Sequence, residues 1–449
     1  MIAGQNSALA KEIHACRVCG FSPLEDIISL GNLYVTNFVD SPDAEQIRAP
    51  LDLVLCNKSA GGCGLLQLRH TVSHDHMYKQ YWYRSGINRT MTNELIGIAQ
   101  TAEKIVGLQQ SDYVIDVGSN DSTLLRGYAT GGINLIGFEP AKNLQPYADP
   151  GVTKVIYDYF NYQAWKENFR EAKAKVITAI AMFYDLDDPN TFLKDVVSCL
   201  DPEGVFIVQQ NYLPYMIERN IFDNVSHEHL EYYSLITFIE LLNRHNLEVF
   251  DIELNDVNGG SMRTYIRHKN SGSSIRMPVG AADRVKEILK KEANLGLEKK
   301  ETYENFAERV QNIKKTLYEF IKKEVSRGKK VYAYGASTRG NTTLQYCGLD
   351  NKLIVAAADR NPDKWGRKTV GTHVPIISEE QARKEKPDYF LVLPWQFLKE
   401  FKEREREFLQ NGGKFENGQI VVCDGQKKSK DTVFCNKIVN QGIKIFMRL

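Results

Sequence analysis

Apolar and polar residues alternate along this chain in three distinct ways. Between 282 and 328, amid dense Lys and Glu, the residues Phe306, Val310, Ile313, Leu317, Ile321 and Val325 recur every three or four positions. That period predicts a long helix with one apolar stripe, and Gly328 suits its C-terminal cap. From about 100 to 265, strand-like runs at Tyr113–Val117, Leu135–Phe138 and Val205–Val208 are separated by helix-length amphipathic stretches. This is the pattern of a parallel α/β sheet. A second alternating block opens with Lys330–Tyr334 and runs to about 425, so two α/β units of related architecture are expected. Residues 1 to about 80 show neither period; they hold Gly and Pro turns and four of the eight cysteines. The last twenty or so residues are polar and then basic, and match no element.

At roughly 150 residues per domain, a chain of 449 residues makes about three. The texture divides it at 1–80, 81–270, 271–425 and a 426–449 extension. Lys+Arg 57 against Asp+Glu 56 leaves a net charge of +1, without the basic excess of a nucleic-acid or membrane-surface binder. The opening MIAGQNSALAKEIHA lacks the pattern of a signal peptide, and VITAIAMFY from Val176 is about half a membrane span. A cytoplasmic monomer or small homo-oligomer is the expectation.

Cys16-Arg-Val-Cys19 and Cys56…Cys63 form two pairs, each followed by glycine. Such knuckles suit tetrahedral zinc, and a site of four thiolates has no open position, so the metal would be structural. The second pair is separated by NKSAGG, wider than usual but able to loop out. Cys199, Cys347, Cys423 and Cys435 are expected to bind no metal. A zinc ribbon can bind nucleic acid, but no basic cluster accompanies this one.

VIDVGSNDSTLL, Val114 to Leu125, runs from a strand into a small-residue turn and a helix start. A cofactor can approach the backbone there. Only Gly118 of a dinucleotide fingerprint is present. The next strand ends GFEP, placing Glu139 where an acid can hydrogen-bond a ribose diol. Asp116, Gly118, Ser119, Asn120, Asp121, Glu139 and Pro140 together fit S-adenosylmethionine better than NAD. Further on, FDNVSHEHLEYYSL concentrates His227, Glu228 and His229. The histidines are two apart, not the spacing of a helical zinc site, and in a loop they suit proton transfer. NGGSMRTY, from Asn258, is a glycine pair ahead of a strand, open to close approach by a ligand.

Over nearly its full length the chain resembles the nucleotide-sugar C-methyltransferases. The resemblance rests on CRVCG, LGNLYVTNF, CGLLQL, YWYRSG, VIDVGSNDSTLL with GFEP, FDNVSHEHLEYYSL, NGGSMRTY, YAYGASTRGNTT and ADRNPDKWGRKTVGTHVPI, in that order. It implies a zinc-ribbon-like N-terminal domain, a central Rossmann-like methyltransferase domain using S-adenosylmethionine, and a second Rossmann-like α/β domain at the C-terminus. The implied reaction is methyl transfer to the carbon beside a ketone, typically carbon 3 of a nucleotide-linked 4-keto deoxysugar. Three departures bear on the sugar and the proton path. Ser226 stands where the family has tyrosine, Asn258 where it often has histidine, and Tyr184 where a strand-end histidine is usual.

The carbon must lose a proton to become a nucleophile, and the enolate oxygen then needs a donor. Family carry-over makes His229 the base, Glu228 its orienting neighbour, and Tyr81 and Tyr83 candidate donors to the ketone oxygen. His227, two positions from His229, is expected to matter less. After the strand ending at Tyr334, the residues Gly335, Ser337, Thr338, Arg339, Gly340 and Asn341 can offer backbone amides and one cation to a diphosphate. An NAD site is the competing reading of that loop, although it lacks the middle glycine. Methyl transfer to oxygen or nitrogen, or a non-catalytic member of the family, are the alternatives for the whole chain.

Overall fold

The computed structural model describes residues 10–394, except 36–37, 41–46, 80, 82, 270 and 272–274, together with the strand Phe446–Arg448. Cys423 and Cys435 lie outside the described residues.

The central sheet has seven strands in the order Leu247–Asn255, Ser261–His268, Leu200–Asn211, Ala174–Ile180, Tyr113–Val117, Asn134–Phe138 and Lys154–Ile156. The last five of these run parallel, whereas Ser261–His268 lies antiparallel to both neighbours. Strands buried on both faces need continuous apolar runs, which is why Val114, Ile115, Val176, Ile177, Phe206 and Ile207 are all fully buried. Helix Arg89–Val106 covers one face through Leu95, Ile98, Ala102 and Ile105. Helices Pro189–Cys199 and Leu235–Asn243 cover the other. Strand order reverses between Tyr113–Val117 and Ala174–Ile180. Loops leaving the carboxyl ends of these two strands diverge to opposite faces and open a crevice.

A second sheet runs Ile376–Ser378, Ala357–Asp359, Val331–Tyr334 and Tyr389–Val392, all parallel. Phe446–Arg448, from the extension the sequence could not place, closes its edge antiparallel to Tyr389–Val392. The first four strands wind outward in the same order as the corresponding half of the central sheet.

The apolar stripe falls on helix Lys300–Ser326, with Phe306, Val310, Ile313, Leu317 and Ile321 buried. The Lys- and Glu-rich region is two helices, because Gly296 at φ 68° ends Ala281–Leu295 first. The stripe packs between the second sheet and an N-terminal antiparallel sheet of Glu25–Tyr34, Arg48–Leu55 and Leu66–Leu68. That N-terminal sheet is completed by Glu231–Tyr232, from the end of the histidine motif. The N-terminal region also reaches the C-terminal unit: Phe38–Val39 pairs with Lys368–Thr369 in a separate two-stranded sheet. Tyr34 and Gln345 exchange two hydrogen bonds across the same boundary. No helix among the described residues is long and apolar enough to cross a membrane.

Candidate active site

Four cysteines converge first. The sulfurs of Cys16, Cys19, Cys56 and Cys63 all lie within 4.8 Å of one another. Cys16 and Cys63 stand 3.6 Å apart and Cys19 and Cys56 3.5 Å. Zinc–sulfur bonds of about 2.3 Å in a tetrahedron require sulfurs roughly 3.8 Å apart, so the donors fit zinc. Each knuckle is closed by a backbone bond, Gly20 N–H to the Cys16 carbonyl and Gly64 N–H to that of Cys56. The wide gap is taken up by the turn Lys58–Ala60, capped by Asn57, so the extra residues loop outward. Hydrogen bonds with Cys56 and Cys63 pull Cys16 down, while those with Cys16 and Cys56 push Cys63 up. Four thiols so close ionise together only around a cation.

At the crevice, Gly118 follows the strand Tyr113–Val117 with φ 67°, and a Cβ there would meet the Met182 side chain at 3.3 Å. Only glycine leaves the crevice floor open at this point. Glu139 is buried at the end of the neighbouring strand, its Oε2 accepting from Asn120 N–H and its Oε1 from Ala141 N–H, both at 2.8 Å. Each carboxylate oxygen keeps a second lone pair for a ribose hydroxyl. Burial holds this carboxyl above its ordinary range, and the two amides pull it partly back. These residues fit S-adenosylmethionine.

Other loop residues do different work. Asp116 is buried beneath the loop, where its Oδ1 accepts the Thr178 hydroxyl at 2.6 Å and burial raises its carboxyl to about 7. Ser119 is buried against Gly137. Asn120 and Asp121 hold the YWYRSG segment: Asn120 donates to the Tyr83 carbonyl and accepts from Ser85 N–H, while Asp121 accepts from Gly86 N–H. Asp116, Ser119 and Asp121 are therefore not part of the crevice wall. They shape it from behind.

The histidine motif is a turn, His229 N–H bonding to the Ser226 carbonyl at 3.1 Å, and it sends its two histidines apart. His227 is buried, with Nε2 on the Ala49 carbonyl of the N-terminal sheet at 3.0 Å. A carbonyl only accepts, so this histidine is a strut, and the structure does not bring it to the crevice. His229 faces the crevice, its Nδ1–H donating to the Asn224 carbonyl at 2.7 Å. Burial, against the pull of that carbonyl and with Arg339 nearby, lowers His229 to about 4. It is neutral at pH 7, and Nε2 carries the lone pair. Tyr184 stacks edge-on against it, ring centres 4.5 Å apart.

The C-terminal loop is more occupied than its sequence suggests. Tyr334 is core, edge-on to Phe390. A Cβ on Gly335 would strike Pro394 at 2.5 Å, and the amides of Gly335, Gly340 and Asn341 already bond to the Ala358 carbonyl, the Ser337 hydroxyl and the Ser337 carbonyl. These three amides offer nothing to a diphosphate. Ser337, Thr338 and Arg339, at the start of helix Thr338–Cys347, do reach the crevice. Arg339 is paired with Asp223 at 2.8 Å and donates to the Asn258 carbonyl at 2.6 Å, tying the NGGS loop to the C-terminal unit.

One cavity of about 390 Å³ collects what remains: Gly118, Asn120, Glu139 and Pro140; Tyr81 and Tyr83; Glu228 and His229; Asn258; and Ser337, Thr338 and Arg339. Tyr81 is held well above its ordinary value by burial and by Glu228 and Asp185, whereas Tyr83 is exposed at the rim. The sequence reading missed Asn211, Asn224, Tyr78, His74 and Asp185 in the wall. Asn211 donates to the Asn224 side chain at 2.9 Å, bracing the residue that holds His229. Asn211 is the last residue of one strand of the central sheet and Asp185 lies in the turn after another, so the strand ends were the signal that could have found them.

Three family models match in order: a zinc binding domain over 16–78, a methyltransferase domain over 87–252 and a C-methyltransferase C-terminal domain over 256–417. C-methyltransferase NovU of Streptomyces niveus is 31% identical over 411 residues, 91% of this chain and 96% of its own. This chain belongs to the C-methyltransferase family. The C-methyltransferase is thus an enzyme that uses S-adenosylmethionine and holds a structural zinc on its four N-terminal cysteines. Among solved structures it is similar to the mitomycin 7-O-methyltransferase MmcR, at 16% identity and TM-score 0.32 over 40% of this chain and 55% of that one. A Haloferax volcanii methyltransferase complex with its Trm112 activator gives 15% identity and TM-score 0.33 over 41% and 94%. Membership of the family rests on the NovU match together with the three family models.

Proposed function

We propose that this C-methyltransferase acts on a nucleotide-linked 4-keto deoxysugar, methylating the carbon beside the ketone, carbon 3, by way of an enolate. The observation that carries this reading is the state of His229. Its Nδ1–H is committed to the Asn224 carbonyl, so a neutral imidazole presents Nε2 in the same cavity as the donor-loop residues. Such a base is needed for carbon and is superfluous for an oxygen or nitrogen nucleophile. Glu228, beside it, orients the substrate or the ring, and Tyr81 and Tyr83 line the same cavity. Asn120 and Glu139 would hold the cofactor, which when bound supplies the electrophilic methyl group. Thr338 and Arg339, at a helix start, favour the anionic end of a sugar nucleotide. Held this close, base and carbon react without the entropic cost of encounter.

His229→Asn tests the reading. Methylation of a panel of 4-keto nucleotide sugars, followed by mass, should fall by about 10²–10⁴-fold. Exchange of the sugar proton with deuterated water should fall with it, and S-adenosylmethionine affinity should barely move. His227→Asn should lose stability before it loses chemistry. In the wild type, a histidine held at about 4 stays neutral as pH falls, so kcat/KM should show no acid limb near 6.5. A His229 variant with normal exchange would overturn the assignment.

A further inference from the structure

We propose that the Asp185 carboxyl is a second catalytic group of this cavity, the acid that meets the ketone oxygen while His229 takes the proton from the adjacent carbon. The inference rests on the ketone substrate proposed above. Strand Ala174–Ile180 is followed by Ala181 at φ 56°, a strained conformation for a residue with a Cβ. The turn Phe183–Asp185 follows and lays Tyr184 and Asp185 along the cavity wall. Leu230 N–H bonds to the Tyr184 carbonyl at 2.9 Å, which fixes this turn against the histidine motif. Asp185 Oδ1 is buried without a hydrogen-bond partner among the described residues. A buried polar atom left unmet in a cavity wall points to something that binds there.

The groups facing Asp185 are Glu228, Glu231 and Tyr78, with Tyr81, Tyr184 and Tyr232 also close enough to feel its charge. All are acids or phenols, and none is a cation. Burial first, and then the Glu228 charge, keep the carboxyl well above the carboxylate range, against a smaller pull from the Tyr78 hydroxyl. A carboxylic acid held neutral by its surroundings is a strong donor to an enolate, and a better acid than a phenol whose own proton is held more tightly. The proton count closes. The C–H bond breaks toward His229 Nε2, and its electron pair becomes the C=C bond. The carbonyl π pair moves to oxygen, which takes the Asp185 proton. When the carbon takes the methyl group, C=O re-forms and that proton returns to Asp185, while the proton on His229 Nε2 passes to solvent, which restores both groups.

Two measurements on the full enzyme test this. In the infrared difference between wild type and Asp185→Asn at pH 7, the protonated-carboxyl band should be present and should belong to Asp185; its absence overturns the proposal whatever the substrate. In deuterated water without methyl donor, Asp185→Asn should exchange the proton of a 4-keto nucleotide sugar about 10²–10³-fold more slowly than wild type. It should also lose the basic limb of the pH profile, and Asp185→Glu should recover part of the rate. Unchanged exchange in Asp185→Asn, with the band present, overturns the oxygen contact alone. No exchange by the wild type on any 4-keto sugar, with the band present, overturns the substrate reading and this contact with it.

Discussion

Removing the Glu139 carboxylate separates two of its roles. Oε2 and Oε1 each accept one backbone N–H at 2.8 Å, from Asn120 and Ala141, and the residue is only 6% exposed. In Glu139→Ala both amides lose their acceptor, and an unmet buried donor costs about 1–3 kcal/mol. The same change removes the acceptor for a ribose diol. A hydrogen bond to a charged group is worth about 1.5–3 kcal/mol, so donor affinity should fall about 10- to 150-fold. Glu139→Gln keeps one acceptor but turns an amide NH₂ toward a backbone N–H, so it should be less stable than wild type while losing less affinity than alanine. Calorimetric titration with S-adenosylmethionine, alongside thermal unfolding, reads both quantities. The pH dependence has a fixed sign. The folded carboxyl is raised above its ordinary 4.5, so the ionised acceptor forms, and affinity increases, as pH rises through that raised value. The stability linked to it runs the other way, full below 4.5 and lost as pH rises through the folded value. A Glu139→Ala variant that unfolds normally and binds S-adenosylmethionine as tightly as wild type would refute this placement of the cofactor.

Asp223→Ala takes from half-buried Arg339 the carboxylate it pairs with at 2.8 Å, so unfolding in urea should show a loss of about 1.5–3 kcal/mol, the worth of a hydrogen bond to a charged group. The double variant with Arg339→Ala should lose less than the sum of the two singles, and strict additivity would argue against the pair. Elemental analysis should give one zinc per chain; Cys19→Ser should lower that content, whereas Cys199→Ser and Cys347→Ser should leave it intact. Asp116, raised to about 7 by burial, contributes stability that is full below its ordinary 3.8 and lost as pH rises through 7. Asp116→Asn can still accept the Thr178 hydroxyl and cannot ionise, so its melting temperature should overtake that of wild type between pH 5 and pH 8. A gap that stays constant with pH would contradict the buried-charge account.

Local chemistry in this chain was readable wherever it was repeated or paired along the sequence. The strands Tyr113–Val117 and Asn134–Phe138 stand where the apolar runs placed them, because doubly buried strands have little freedom of composition. The four cysteines announce their site by spacing, even with the wide second gap. What stayed hidden depends on distant partners. Gly335 N–H and Ala336 N–H are taken by Ala358 and Asp359, more than twenty residues on, so a loop that reads as open to phosphate is half closed. His227 resembles His229 in sequence and differs only in meeting Ala49, from another sheet. Asp185 sits in a run of aspartates, Asp185, Asp187 and Asp188, and only the fold turns one of them into the cavity.

The cavity belongs to no single unit of the chain. Its floor comes from the central sheet, one wall from the YWYRSG segment pinned by Asn120 and Asp121, and another from the start of helix Thr338–Cys347. The histidine motif is strung between these parts. Leu230 is bonded to Tyr184 on one side and to Leu68 of the zinc-bearing sheet on the other. The next two residues, Glu231 and Tyr232, continue as a strand of that same sheet. The four-cysteine site is therefore linked through backbone to the cavity, because the knuckles fix the sheet that holds the tail of the motif. The same layout divides the chemistry. Under the proposed function, the residues that would meet the cofactor lie on the central sheet, while those that would face the anionic end of the substrate lie on the C-terminal unit, joined to it through Arg339, Asp223 and the Asn258 carbonyl. Substitutions in the C-terminal loop can then change which substrate is accepted while the floor that receives the methyl donor stays intact, provided the Arg339–Asp223 pair is kept.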